Sequence, residues 1–348
     1  MGDDSNGLVP VDKSKLTLSS AKVTAAGIPA VISSAVHSMK KMGVGKTVKT
    51  LRMVNQKEGF DCPGCAWPDP DHRSSFEFCE NGAKAVADEA MKANVNAAFF
   101  ARYSISELST KSDYWLNSQG RIAEPMYASR EDSHYQPISW EAALAKISDK
   151  LKSLQTPDNA AFYTSGRTSN EAAFLYQAFV RMYGTNNLPD CSNMCHESSG
   201  KALISTIGIG KGTVSLNDFN HADTILVIGQ NPGTNHPRML TALRDAKDNG
   251  ATIIHINPLT ETGLIRFKHP QDYMKLNFSS TKLSDVHIPI KIGGDAALFQ
   301  ALNKIIIESN SIDNDFIESK TKGYDEYCES LSNLEWSRVI SDTGIPRA

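Results

Sequence analysis

The stretch from Thr224 to Ile256 constrains the fold more than any other part of the chain. Thr224 to Gly229 is a short apolar run closed by glycine, and Ala251 to Ile256 is a second run of the same kind. Between them Asn231 to His236 reads as a loop and Pro237 to Asn249 as a helix, with proline at an early position and Gly250 as its stop. Two apolar strands joined through a helix within about 30 residues form a βαβ crossover, and such a crossover makes the strands parallel. In sheets of this kind ligands bind outside the carboxyl ends of the strands.

A second strand, loop and helix precede this unit. Ala161 to Thr164 is predicted as a short strand and Ser165-Gly166-Arg167 as a loop. Thr168 to Glu171 reads as a capping box, opening a helix with apolar Phe174, Leu175, Ala178, Phe179 and Met182 that closes at Gly184. Later in the chain Asp295 is predicted to cap a helix whose Ala297, Leu298, Leu302 and Ile305 pack in the core. The ligand-facing loops are then Ser165 to Arg167, Gln230 to His236 and Asn257 to Thr262. No G-x-G-x-x-G follows these strands, and Asn257 stands where a nicotinamide site usually places an acidic residue, which argues against an ordinary NAD site. Gly43-Val44-Gly45-Lys46-Thr47 imitates a phosphate-binding loop, but Lys40 occupies the position of its first glycine and no strand precedes it, so it reads as a solvated loop.

Composition narrows the class of function. A chain of 348 residues is expected to form two or three domains, and 40% apolar with 22% charged residues describes a globular protein. Lys and Arg total 36 against 39 Asp and Glu, a formal charge of −3, so no basic field points to nucleic acid. The apolar runs are far shorter than the roughly 18–20 residues of a membrane span, and the acidic start Met1-Gly2-Asp3-Asp4 does not read as a secretory signal, so a cytoplasmic location is expected. Six cysteines are too few for a disulfide framework, and their grouping suggests metal binding or catalysis.

Cys62-Pro63-Gly64-Cys65 sets two thiols on a tight turn, and Cys79 follows fourteen residues after the second. Such a group can hold zinc or an iron–sulfur cluster, and with His72 between them a zinc site of Cys62, Cys65, His72 and Cys79 is the alternative. Cys191 and Cys195 form another group. Ser192 and Asn193 are placed to cap a helix running through Ser199, Ala202, Leu203 and Ile204, which puts Cys195 in a first turn, where the helix dipole favours thiolate. His196 is its neighbour.

Four stretches together carry a family resemblance: Gly59 to Pro70, Cys79 to Lys84, Tyr163 to Glu171 and Asn231 to Arg238. They resemble the formate-dehydrogenase-like alpha-subunit branch of the molybdopterin oxidoreductases, in the dimethyl sulfoxide reductase superfamily. The resemblance implies molybdenum held by two molybdopterin guanine dinucleotides, together with a [4Fe–4S] cluster for which Cys62, Cys65 and Cys79 look like ligands. The third cysteine of the family's C-x-x-C-x-x-x-C pattern falls on Asp69, and the lysine of its Cys-x-Lys-Gly falls on Asn81, with Lys84 a turn further on as a replacement. Cys195 resembles the molybdenum ligand and His196 the catalytic proton acceptor. Ser165, Gly166, Arg167, Gly229, Asn231, His236, Asn257 and Pro258 are the residues implied to bind the pterin dinucleotide. The implied substrate is a small molecule, formate first, although the arginine expected to bind its carboxylate is not identifiable.

The resemblance implies an α/β fold: an iron–sulfur-type subdomain followed by Rossmann-like domains with a parallel sheet, the C-terminal domains missing. The expected division is an extension over 1–58, an iron–sulfur-type domain over 59–135, a first α/β segment over 136–190 and a truncated Rossmann-like domain over 191–348. The chain reads as an N-terminal half that stops in a helical region after Trp336. The expected partners are an electron-acceptor protein or the missing half, with an inactive fragment as the remaining reading.

Overall fold

The computed structural model describes residues 20–189, 191–271 and 279–346, with the side chains of residues 191–194 excepted. Cys191 and the capping roles expected of Ser192 and Asn193 therefore lie outside the described side chains. The chain forms two compact units, one within residues 29–214 and the other from residues 22–28 with the chain from Ser215 onward. Among the described residues no helix is long and apolar enough to cross a membrane.

The first unit is mostly helical. Its helices include α1 (Gly27–Met42, entering from the other unit), α2 (Val44–Leu51), α3 (Glu80–Glu89), α4 (Trp140–Lys152), α5 (Asn170–Tyr183) and α6 (Cys191–Ile207). The sequence showed no strong period before residue 58, yet residues 27–51 are helical. Their buried positions include Ser34, Ser38 and Thr47, small polar residues that hide the apolar stripe from a pattern search. The phosphate-loop imitation is the start of α2: Gly43 precedes it at φ 79°, and the Lys46 ammonium donates to the Ala90 carbonyl at 2.7 Å. α3 buries Gly82, Ala83, Ala85, Val86 and Ala87. Ala83 and Val86 form a small core with Leu51 and Val54, against which Cys62, Phe76 and Phe78 pack.

Two predictions in this unit shift. Residues 161–164 do not form a ladder strand: Thr164 alone makes a bridge, and the Phe162 amide donates to the Asn187 carbonyl at 2.9 Å. A single contact with a loop holds the segment extended without building a sheet. The helix after it closes at Gly184 in the left-handed conformation as predicted, but its cap is Ser169, whose hydroxyl accepts from the Ala172 amide. The cap thus sits one residue later than expected.

The second unit holds the parallel sheet. Strands β1 (Thr224–Ile228) and β2 (Thr252–Ile256) pair in parallel, Thr224 beside Thr252 and Ile228 beside Ile256. β3 (Val286–Ile288) pairs in parallel with β2, giving the order β3-β2-β1. The predicted loop after β1 contains the helical turn α7 (Pro232–Asn235), and the crossover helix α8 spans Met239–Asp248. α8 buries Met239, Leu240, Leu243 and Ala246, a helical stripe in which each fully buried leucine contributes about 2 kcal/mol. Ile256, Ile290 and Leu298 form another core, with Leu302 packed against it. Leu298 belongs to α9 (Asp295–Glu308), where Asp295 is the first helical residue and not the cap, and where Ile305 is exposed because the buried stripe runs through Leu298 and Ala301. The last helix closes at Gly344, at φ 72°.

Candidate functional site

In the first unit the thiols of Cys62, Cys65 and Cys79 share one small neighbourhood. Cys79 precedes α3, and its sulfur accepts the Gly82 amide at 3.3 Å. The Cys62 sulfur accepts the Gly64 amide at the same distance, inside the turn that Pro63 and Gly64 make. Gly82 is what lets these sulfurs approach α3, since a Cβ there would lie 2.8 Å from Cys62 Sγ and 3.6 Å from Cys79 Sγ. Burial raises the Cys79 thiol pKa and the charges of Cys62 and Cys65 raise it further, against amide donation from Gly82 and Asn81. Mutual repulsion among three thiolates is what a bound cation relieves.

A residue that the sequence did not single out holds this nest open. Asn55 is buried, with a left-handed backbone at φ 56° that asparagine tolerates better than most residues. Its Oδ1 accepts the Cys62 amide and its Nδ2 donates to the Glu77 carbonyl, both at 2.7 Å. One side chain thereby clamps the loop just before its first thiol and just before its third. The Asn55 amide donating to the Phe60 carbonyl at 2.7 Å and the Phe60 amide donating to the Met53 carbonyl at 3.1 Å close the turn that brings this about.

Several expected participants point elsewhere. Asp69 pairs with Arg73 at 3.4 Å, and Lys84 pairs with Glu80 at 2.6 Å. His72 is exposed. Among the described residues no three His, Cys, Asp or Glu side chains are gathered as one metal ion requires. His72, the fourth member of the expected zinc set, is exposed, while a zinc ion would draw its ligands to about 2.3 Å from one point. What the structure shows is three thiols in one field, amides on two of the sulfurs, and a glycine where a Cβ would intrude.

Cys195 and His196 are exposed on α6. Because the helix begins at Cys191, Cys195 is its fifth residue, beyond the first turn in which the dipole acts most strongly. Successive helix residues do not face one another, so adjacency in sequence alone does not aim the pair at one point. The loop of Ser165, Gly166 and Arg167 is exposed, and the Ser165 hydroxyl accepts the Arg167 amide at 3.1 Å.

In the second unit the carboxyl ends of β1 and β2 are tied by Glu261, another residue that the sequence did not single out. One of its oxygens accepts the Asn231 amide nitrogen at 2.6 Å and the other accepts that of Asn257 at 3.2 Å. Asn257 also donates to the Leu259 carbonyl, and Asn231 Oδ1 caps α7 by accepting the Thr234 amide. The two asparagines are thus both held by Glu261. Gly229 turns at φ 63° with open space where a side chain would be, so backbone is exposed at this strand end. Gly233 and Gly263 bring the two loops together, for a Cβ at Gly263 would lie 3.1 Å from the Gly233 Cα. His236 is half-buried, its backbone amide donating to Pro232, and Pro258 is exposed.

Beneath these loops His255 stacks on His287 with ring centroids 4.8 Å apart. His287 Nε2 meets the Asn257 carbonyl at 3.0 Å. Burial, with a smaller push from His287, lowers the His255 pKa to about 4, so at neutral pH it is an uncharged core ring.

A family profile described as Molybdopterin oxidoreductase matches residues 121–337. An uncharacterized oxidoreductase of Mycobacterium bovis is 51% identical over 98% of this chain and 45% of its own length. The alpha subunit of an F420-dependent formate dehydrogenase of Methanococcus maripaludis is 28% identical over 71% of this chain and 34% of its own. The solved structure of acetylene hydratase from Pelobacter acetylenicus is similar in fold, with a TM-score of 0.52 and 21% identity over 65% of this chain and 29% of that one. The chain spans about half the length of the curated relatives it matches.

Proposed function

The chain belongs to the molybdopterin oxidoreductase family, and from that premise we propose that it is the oxidoreductase module of a formate-dehydrogenase-like molybdenum enzyme. The proposed cofactors are molybdenum in a bis(molybdopterin guanine dinucleotide) centre and an iron–sulfur cluster, and the proposed partners are an electron-acceptor protein or further domains like those of the longer relatives. The family supports a molybdopterin cofactor. The observation that carries the rest is the nest of Cys62, Cys65 and Cys79, where three thiols and two sulfur-directed amides suit a cluster better than a single ion. The division into segments 1–58, 59–135, 136–190 and 191–348 is part of the same proposal.

When bound, the molybdenum centre supplies a two-electron acceptor. Cys195 is proposed to give it a soft thiolate ligand, a role for which its exposure leaves it accessible. The neighbouring imidazole of His196 is proposed to accept a proton as substrate is oxidised, its ring nitrogen serving as a general base. The backbone around Ser165, Gly166 and Arg167 and around Gly229, Asn231, His236, Asn257 and Pro258 is proposed to hold the dinucleotides, with Glu261 keeping both asparagine loops in register. Formate is the first substrate to test. Formate-dependent reduction of an artificial dye is expected from the cofactor-loaded chain and is expected to fall at least 100-fold in Cys195→Ala. Full oxidation retained in that variant removes Cys195 from its role, and reduction driven by other small acids but not by formate replaces the substrate.

A further inference from the structure

Two helices of the first unit leave apolar side chains in solvent. Along α4 the residues Trp140, Leu144, Ile147 and Leu151 follow the spacing of one helical stripe. None of the thirteen residues of α4 is buried, and Trp140, Leu144 and Ile147 are each more than half exposed. α5 is apolar on two sides. Tyr176, Phe179 and Tyr183 meet the Phe162 ring edge-on with centroids between 5.8 and 6.1 Å, on the side of Val180, the one buried residue of the fourteen. On the other side Phe174, Leu175 and Met182 face out, Met182 with 88% of its surface exposed. A helix apolar on both sides is built for the interior of a fold. The two helices end beside each other, the Tyr183 hydroxyl donating to the Leu151 carbonyl at 2.7 Å. Where α4 begins, Trp140 also lines a cavity of about 460 Å³ with Phe100, Ile122, Met126 and Tyr135, room for an apolar anchor from a partner.

The make-up of these faces says what kind of surface meets them. Chains that bind reversibly meet through surface about as apolar as the rest of the protein, whereas permanent interfaces resemble a core cut in half. Both stripes consist of aromatic and aliphatic side chains with no charge among them, and so they are of the second kind. The Mycobacterium bovis oxidoreductase that is 51% identical to this chain is matched over 45% of its length, so more than half of it lies outside the match. We propose that the exposed faces of α4 and α5 are the docking surface for polypeptide of the kind that this relative carries outside the match, which completes one core with them. This rests on the family reading above and names where the further domains attach.

The test co-expresses the full chain with the unmatched part of the Mycobacterium bovis oxidoreductase and follows amide exchange with and without it. A one-to-one complex is expected, with exchange slowed about 100-fold over residues 140–151 and 170–183. Phe174→Glu combined with Met182→Glu is expected to weaken the complex about 100-fold while the far-ultraviolet circular dichroism of the chain stays as it is. Should that variant fail to fold, exchange in the wild-type complex still decides the matter. No complex, or a complex in which both helices exchange as fast as in the chain alone, overturns the proposal. So does a chain that by itself sediments as a dimer with the same helices protected, which gives the faces to a second copy. Molybdenum is counted in the same samples. Protected helices without molybdenum uphold the docking surface and remove the molybdenum reading, whereas molybdenum on the chain with neither helix protected by the added part does the reverse.

Discussion

The cysteine nest and the strand-end network hold their side chains in place in opposite ways. The nest is assembled from one continuous stretch. Asn55 reaches Cys62 and Glu77, Gly82 admits two sulfurs, and every participant lies within residues 55–82. The strand ends are assembled by parallel pairing: Asn231 and Asn257 come together because β1 and β2 lie in register, and Glu261 then ties them. The nest needs only a small local core of Leu51, Val54, Ala83 and Val86, whereas the network depends on the whole sheet. Damage to the nest should therefore stay local, and damage to the sheet should move its loops together.

The largest effect that would break this contrast is expected at Asn55. Asn55→Ala removes an acceptor for the Cys62 amide and a donor to Glu77, worth about 1–1.5 kcal/mol each, and places alanine at a left-handed backbone position at about 1 kcal/mol more. Urea unfolding is expected to show a loss of about 3 kcal/mol together with loss of iron uptake. A change below about 1 kcal/mol would mean that the nest does not depend on its clamp.

The sheet has its own signature in pH. His255 titrates at about 4 in the folded protein, below its ordinary value of about 6.5. Between those values the unfolded chain binds a proton that the folded one does not, so stability is fully present above pH ~6.5 and is lost as pH falls through ~4, by up to about 3 kcal/mol. His255→Leu is expected to flatten this part of the stability profile, measured as urea midpoints at pH 7 and pH 4.5. An unchanged slope would show that another group carries it.

A smaller effect is expected from Glu261→Gln, which keeps the shape but turns one acceptor into a donor facing an asparagine amide. A cost of about 1–2 kcal/mol follows from the broken bond, read by thermal unfolding. If the variant unfolds like the wild type, the asparagine loops hold themselves and Glu261 is dispensable.

These differences also mark what the sequence could reveal. Parallel pairing was legible in Thr224 to Ile256 because two apolar runs around a bounded helix allow few other arrangements, and the thiols were legible from C-x-x-C spacing. Asn55 and Glu261 were not, since each is an ordinary polar residue until its partners are known. Glycines such as Gly43 and Gly184 do mark helix ends, but Gly82 acts through space and leaves no local pattern. The helices over residues 27–51 escaped notice because small polar residues share their buried positions. Cys195 was placed a turn too early because the helix starts at Cys191, before the residues chosen as caps.

The most direct measurement counts molybdenum and guanine in the same sample of full chain purified without oxygen from molybdate-replete cells. The account predicts both, with guanine released on acid treatment in a two-to-one ratio to molybdenum. A folded chain that carries iron on its cysteines but neither molybdenum nor guanine would contradict it.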